Sequence, residues 1–283
     1  MDRRSFLRTA AASAASVAVA PLVFSQEGAS PQRKRIPIGV QLYSVRNAAN
    51  NDIAKTLEAL AKMGYEGVEF YGGHYFGKEM SELRKMLDDN GLKCPSTHTG
   101  LGDLRNHFDR TVDIHKALGA QFIFVPGGLN RYYENVDTIK GIADEFNKLS
   151  EKARAVDMYI GYHAHGYDAV KVDGVEAWER FFDATVPEVL MQMDIGNYAD
   201  GNGDPYRQIE KFKGRSKSVH LKEAGQRGPA RPIIGEGTVD WPRVFELSET
   251  VGGVEWYIVE DELEPDSLVR IERSLAALRE MRK

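Results

Sequence analysis

The chain has 283 residues, of which 42% are apolar, 10% aromatic and 28% charged; these globular proportions exclude a disordered, collagen-like or disulfide-dense chain. A net charge of −5 leaves no basic surplus to neutralise a phosphate backbone, so nucleic acid is not an expected partner. The lone cysteine, Cys94, can form neither an internal disulfide nor a Cys-rich zinc site and reads as a small buried apolar residue.

Residues 1–25 read as an export signal. Asp2-Arg3-Arg4-Ser5-Phe6-Leu7-Arg8 is a positive leader, Thr9 to Phe24 is a short Ala-rich apolar run, and Val23-Phe24-Ser25 offers a cleavage site. The paired arginines before Phe6-Leu7 resemble a twin-arginine signal, which a receptor reads. Such a signal implies export of an already folded protein to the periplasm, with no membrane association after cleavage. Residues 26–35 are polar and read as a lead-in, and 36–283 as one domain.

From residue 36 onward, short apolar runs alternate with longer amphipathic ones. The expected strands are Pro37–Ser44, Gly67–Tyr71, Lys93–Thr99, Gln121–Pro126, Met158–His165, Val189–Ile195, Ser216–Lys222 and Glu255–Glu260. Apolar residues at helical spacing lie between them, as in Ile53, Leu57, Leu60 and Ala61, or Ile139, Ile142, Phe146 and Leu149. Gly64, Gly91 and Gly119 close helical runs where a positive φ is needed. Eight strand–helix alternations in one α/β domain predict a single (β/α)8 TIM barrel. No Gly-x-Gly-x-x-Gly follows the first strand, so a dinucleotide fold is disfavoured.

In such a barrel the active site forms at the C-terminal strand ends. Period-two alternation points His163, Asp194, His220 and Glu260 inward from four consecutive strands. Burying two carboxylates and two imidazoles without a cation would cost on the order of several kcal/mol. One divalent metal ion resolves that cost, and mixed N/O ligation suits Mn, Zn, Co or Fe(II) better than Ca or Mg.

Several segments together resemble the xylose isomerase-like TIM-barrel family, often labelled sugar phosphate isomerases/epimerases. They include Gly39-Val40-Gln41-Leu42-Tyr43-Ser44, Gly64-Tyr65-Glu66-Gly67-Val68-Glu69, Tyr162-His163-Ala164-His165 and Asp194-Ile195-Gly196-Asn197. His220-Leu221-Lys222-Glu223, Gly235-Glu236-Gly237 with Val239-Asp240-Trp241, and Val259-Glu260 complete the set. The resemblance places the family's strand-6, strand-7 and strand-8 metal ligands on Asp194, His220 and Glu260. The fifth strand departs: His163 stands where well-studied epimerases carry a Glu that is both ligand and acid/base group.

The resemblance implies a metal-dependent sugar isomerase or epimerase that abstracts a proton beside a metal-bound carbonyl, through an enediolate. Glu260 is the expected base by family analogy; Lys222 could anchor a substrate oxygen or donate a proton, and His165 could orient or contact substrate. Glu69 and His98 are candidates for sugar hydroxyls. The Gly235-Glu236-Gly237 loop could approach a ligand, with Glu236 as a contact, or form a plain turn before a helix capped by Asp240. Trp241, Tyr71 and Tyr75 offer flat surfaces for a sugar ring. Apart from Arg227, a candidate substrate contact, and Arg231 in the loop after the seventh strand there is no basic cluster, so, with export, a free or oxidised sugar or a glycoside is favoured over a sugar phosphate. Two further readings stay open: a lyase acting on 3-keto-glycosides by β-elimination, which needs only one strong base, and a non-catalytic sugar-binding barrel. Oligomeric state is not legible.

Overall fold

The structure is a computed structural model describing residues 35–282, except 74, 226–230, 264 and 266. The export signal at 1–25 and the lead-in, Arg35 apart, lie outside the described residues, as does Arg227. Eight parallel strands form the barrel: β1 (Ile38–Gln41), β2 (Gly67–Glu69), β3 (Ser96–His98), β4 (Phe122–Val125), β5 (Tyr159–His163), β6 (Leu190–Asp194), β7 (Ser218–Leu221) and β8 (Trp256–Val259). Each pairs with its sequence neighbours, β1 pairs with β8, and the Phe70–Thr97 and Gly67–Lys93 bridges join β2 to β3.

One main helix follows each strand: α1 (Ile53–Met63), α2 (Met80–Asp89), α3 (Phe108–Leu118), α4 (Val136–Arg154), α5 (Ala177–Ala184), α6 (Pro205–Lys211), α7 (Trp241–Leu247) and α8 (Ser267–Met281). In α4, Ile139, Ile142, Phe146 and Leu149 are buried in the outer core at helical spacing. Gly64, Gly91 and Gly119 all have positive φ at or just beyond helix ends, as their positions required. Asp240 caps α7, accepting from the Arg243 N–H at 3.2 Å. Among the described residues no helix is long and apolar enough to cross a membrane.

The strands are shorter than the apolar runs that announce them. After Gln41 the chain turns into a tight helix at Leu42–Val45, because the Gln41 side chain accepts from the Tyr43 N–H. Alternation divides each strand between two environments. Val219, Leu221, Tyr257 and Val259 face the helices and join the main core. Phe122, Phe124 and Leu190 form a separate cluster inside the barrel with Tyr159 against them. Gly161 makes room for that cluster, since a Cβ there would lie 2.6 Å from the Phe124 ring. Above this apolar plug the barrel interior turns polar.

Candidate active site

The polar layer begins with Glu69, which is fully buried. Its Oε1 accepts from Gln41 Nε2 at 2.7 Å and faces His98 Nε2 at 3.0 Å and His220 Nε2 at 2.7 Å. Its Oε2 accepts from Gln192 Nε2 at 2.8 Å and from Ser96 Oγ. Burial opposes its charge, yet the imidazoles of His98 and His220 and these bonds hold its pKa well below the ordinary carboxylate value.

This layer sets the imidazoles above it. Gln192 spends its amide hydrogens on Glu69 Oε2 and on Ser218 Oγ at 2.9 Å, so its Oε1 must accept. That oxygen lies 3.0 Å from His163 Nδ1, which places the His163 proton on Nδ1 and leaves a lone pair on Nε2. Burial, with His220 and His98 beside it, keeps His163 neutral by pushing its pKa well down. Its Nε2 lies 4.0 Å from both Asp194 Oδ2 and Glu260 Oε2.

Asp194 ends β6 and caps the short helix Ile195–Asp200, its Oδ1 accepting from the Asn197 N–H at 2.7 Å. One oxygen is thereby fixed by local backbone, and the other, Oδ2, is buried without a hydrogen-bond partner. Burial raises the Asp194 pKa to about 7, against the opposing pull of Lys222. His220 Nδ1 lies 2.6 Å from Glu260 Oε2. Burial alone would lower the His220 pKa, but Glu69 and Glu260 at its two nitrogens raise it to about 10.

Ligand atoms of His163, Asp194, His220 and Glu260 all lie within 4.8 Å of one another, and all four side chains are buried. Two imidazoles and two carboxylates, one of them with an orphaned buried oxygen, are a donor set that fits a divalent cation of borderline softness. His98, with His163 and His220, forms an overlapping group.

A cavity of about 320 Å³ opens beside this centre, lined by Tyr43, Tyr71, His98, His163, His165, Glu260 and Glu262 among others. Lys222 is buried at its edge, with Nζ 2.9 Å from Glu262 Oε2, 3.9 Å from Glu260 Oε1 and 4.0 Å from Asp194 Oδ2. Burial works against its charge, and those three carboxylates outweigh it, so Lys222 stays protonated. His165 stacks on Tyr167 with ring centroids 5.1 Å apart. Burial depresses its pKa to about 4.

Some expected contacts sit elsewhere. Glu69 has no exposed surface to offer a sugar; it orients histidines from beneath. His98 lines the cavity while bonding Gln192 at 2.8 Å. Glu236 pairs outward with Arg273 of α8 at 2.6 Å, away from the centre. Its loop folds onto the buried Glu223 carboxylate, which accepts from the N–H groups of Gly235 and Val239 and from Trp241 Nε1. That contact makes the loop a turn and buries Trp241, while Tyr75 packs in the core; of the three aromatics, Tyr71 reaches the cavity. Arg231 bonds Asp200 at 2.9 Å. Sequence reasoning missed Glu262, Tyr43 and Gln192. Glu262 lies beyond β8 in a loop whose carbonyl Arg46 holds at 3.1 Å, a contact across 216 positions that no local pattern announces. Gln192 carried a usable signal, being two residues before Asp194 on the same strand face.

A family model described as xylose isomerase-like TIM barrel matches residues 57–281. The chain belongs to the xylose isomerase-like TIM barrel family. Among curated members, it is 24% identical over 253 residues to an inosose dehydratase of Clostridium beijerinckii, covering 76% of this chain and 84% of the relative. An inosose dehydratase of Erwinia tasmaniensis is also 24% identical, over 82% of this chain and 90% of that one. A solved sugar phosphate isomerase/epimerase from Parabacteroides distasonis superposes with a TM-score of 0.74 at 26% identity, covering 88% and 96% of the two chains. The IolI protein, solved with a bound zinc atom, shares the fold at a TM-score of 0.69 and 13% identity, over 87% of this chain and 96% of that one.

Proposed function

We propose that the protein is a divalent-metal-dependent lyase that acts on a keto-sugar or keto-cyclitol by β-elimination. The observation that carries this reading is the one-sided acid/base set. On β5 the residue facing the centre is His163, so among the described residues no carboxylate lines the cavity across from Glu260 and Glu262. Reversible epimerisation needs a proton delivered to the opposite face, whereas elimination needs one base and help for a departing oxygen. The relatives named inosose dehydratase support the same choice.

His163, Asp194, His220 and Glu260 would hold the metal, which, when bound, polarises a substrate carbonyl and makes the neighbouring C–H acidic. Glu260 and Glu262 are the carboxylates lining the cavity; Glu262, outside the ligand set, takes the proton in this scheme. The protonated Lys222 beside both stabilises negative charge developing on the ketone oxygen. The C–H electron pair becomes the new C=C bond, and the β C–O bond breaks with its electrons. The proton taken by Glu262 is returned to the departing oxygen, which leaves as an alcohol or as water; His165, neutral at pH 7, offers it a hydrogen bond. Tyr43 and Tyr71, edge to face at 5.1 Å, line the cavity and offer it flat apolar surface.

The test is incubation of Mn-, Co- or Zn-loaded protein with methyl 3-keto-glucoside and with an inosose, following the enone chromophore and the released methanol or water-loss product. Elimination without epimer formation is expected. Epimer or aldose–ketose interconversion without elimination would restore the isomerase reading. Ligand-induced stabilisation without turnover or solvent deuterium in the sugar would favour a binding barrel. Export through a twin-arginine signal belongs to the same proposal, because folding and metal loading would then precede translocation. Fusion of residues 1–30 to a reporter tests it, with periplasmic signal expected only while Arg3-Arg4 is intact.

A further inference from the structure

A second groove, of about 530 Å³, opens on the same barrel face and shares Pro126 with the site cavity. It lies between the segments that follow β3, β4 and β5, with Leu101, Gly127, Arg131, Tyr132 and Tyr167 in its walls. The His165–Tyr167 stack separates it from the metal-ligating cluster, so one ring of the stack faces each compartment. Gly127, at φ +146, lets the loop pass close against the stack: a Cβ there would lie 2.6 Å from the Tyr167 hydroxyl and 3.4 Å from the His165 ring. The site cavity is already large enough for a single sugar ring, being near the lower bound of about 300 Å³ for small-molecule sites.

The charges in the groove differ in availability. Arg105 is consumed by Glu145, with both oxygens bonded at 2.5 and 2.7 Å. Arg131 is exposed and gives its Nε to the Gly128 carbonyl at 2.8 Å. Among the described residues it has no carboxylate partner, so its terminal nitrogens remain for a ligand. Aromatic walls beside an unneutralised guanidinium fit a flat ring bearing an anionic group.

We infer that this groove is the subsite for the leaving group, and that the substrate is a keto-glycoside whose aglycone is a planar aromatic ring carrying a carboxylate. The inference rests on the lyase reading and narrows its substrate class. The groove takes the aglycone ring on the Tyr167 side of the stack, while His165 faces the sugar in the site cavity.

Two measurements separate the subsite from the reaction. In the first, methyl, phenyl and 4-carboxyphenyl 3-keto-glucosides are compared as substrates. The carboxyphenyl compound should show a KM at least about tenfold below that of the methyl compound, from one charge-assisted contact. Arg131→Ala should erase the advantage of carboxyphenyl over phenyl while leaving methyl 3-keto-glucoside turnover unchanged. In the second, calorimetry measures binding of unoxidised 4-carboxyphenyl glucoside, which cannot eliminate, to metal-loaded parent and R131A. Arg131-dependent binding without turnover of any keto-glycoside would sink the lyase reading and keep the subsite. Turnover indifferent to the aglycone, with calorimetry unchanged in R131A, would overturn the subsite and keep the lyase.

Discussion

His220 Nε2 lies 2.7 Å from Glu69 Oε1, while its Nδ1 faces Glu260 in the four-residue centre. The buried carboxylate therefore fixes the ring's orientation from the side opposite the centre, as carboxylates behind metal-bound histidines do. Glu69→Gln presents an amide that can turn a donor toward His220 and lose the charge. The variant should weaken divalent-metal binding by about 10- to 100-fold, read by competition with a chelating dye. Unchanged metal affinity in a folded E69Q protein would remove Glu69 from this role.

Asp168 gives a pH signature away from the centre. It is buried and accepts from Tyr133 and Tyr162 hydroxyls at 2.5 and 2.9 Å and from the His165 N–H at 2.6 Å. Burial outweighs these bonds and raises its pKa from 3.8 to about 7. The folded state thus holds this proton over a range where the unfolded chain has released it. Its contribution to stability is complete below about pH 4 and is lost as pH rises toward 7. The difference in melting temperature between the parent and Asp168→Asn should change through that window; a difference independent of pH contradicts the assignment.

His115 has the opposite sign. Burial lowers its pKa from 6.5 to about 4, and its Nε2 is bonded to Thr99 Oγ1 at 2.9 Å. The folded state excludes a proton that the unfolded chain accepts, so stability is complete above 6.5 and falls as pH drops toward 4. Replacing His115 with Gln should reduce the acid-side fall in urea midpoint. A fall as steep as the parent's would show that another group drives it.

Gly161 is where the barrel plug tolerates least change. A Cβ there would meet the Leu190 carbonyl at 2.4 Å and the Phe124 ring at 2.6 Å. Backbone on one side and a buried ring on the other leave little room to yield, so Gly161→Ala should cost about 1–3 kcal/mol. Urea unfolding measures this directly, and an unchanged midpoint would mean that β5 can shift outward without loss.

The strand count was legible because short apolar runs alternate with amphipathic helical ones, and the inward set of His163, Asp194, His220 and Glu260 because side chains alternate faces along a strand. Glu69 was legible as a polar residue ending the second strand and so as a sugar contact, but position along a strand does not say how deep a side chain lies. Depth depends on barrel stagger: β2 pairs Glu69 with Gln41 of β1, a relation set by register between strands. Glu236 illustrates a different limit. A Gly-flanked acidic residue looks available, yet the buried Glu223 carboxylate gathers the surrounding N–H groups and turns Glu236 outward to Arg273. Glu262 entered the cavity wall through a long-range Arg46 contact, which is tertiary information. The groove beyond Tyr167 is likewise built from three separate loops.

The most direct measurement of the central claim is β-elimination by metal-stripped and metal-restored protein, with metal content determined on the same samples. Bound divalent ion should approach one per chain, turnover of a 3-keto-glycoside should vanish on stripping and return with Mn, Co, Zn or Fe(II), and Asp194→Ala should neither bind nor turn over. Undiminished elimination by metal-free protein, or by D194A, would contradict it.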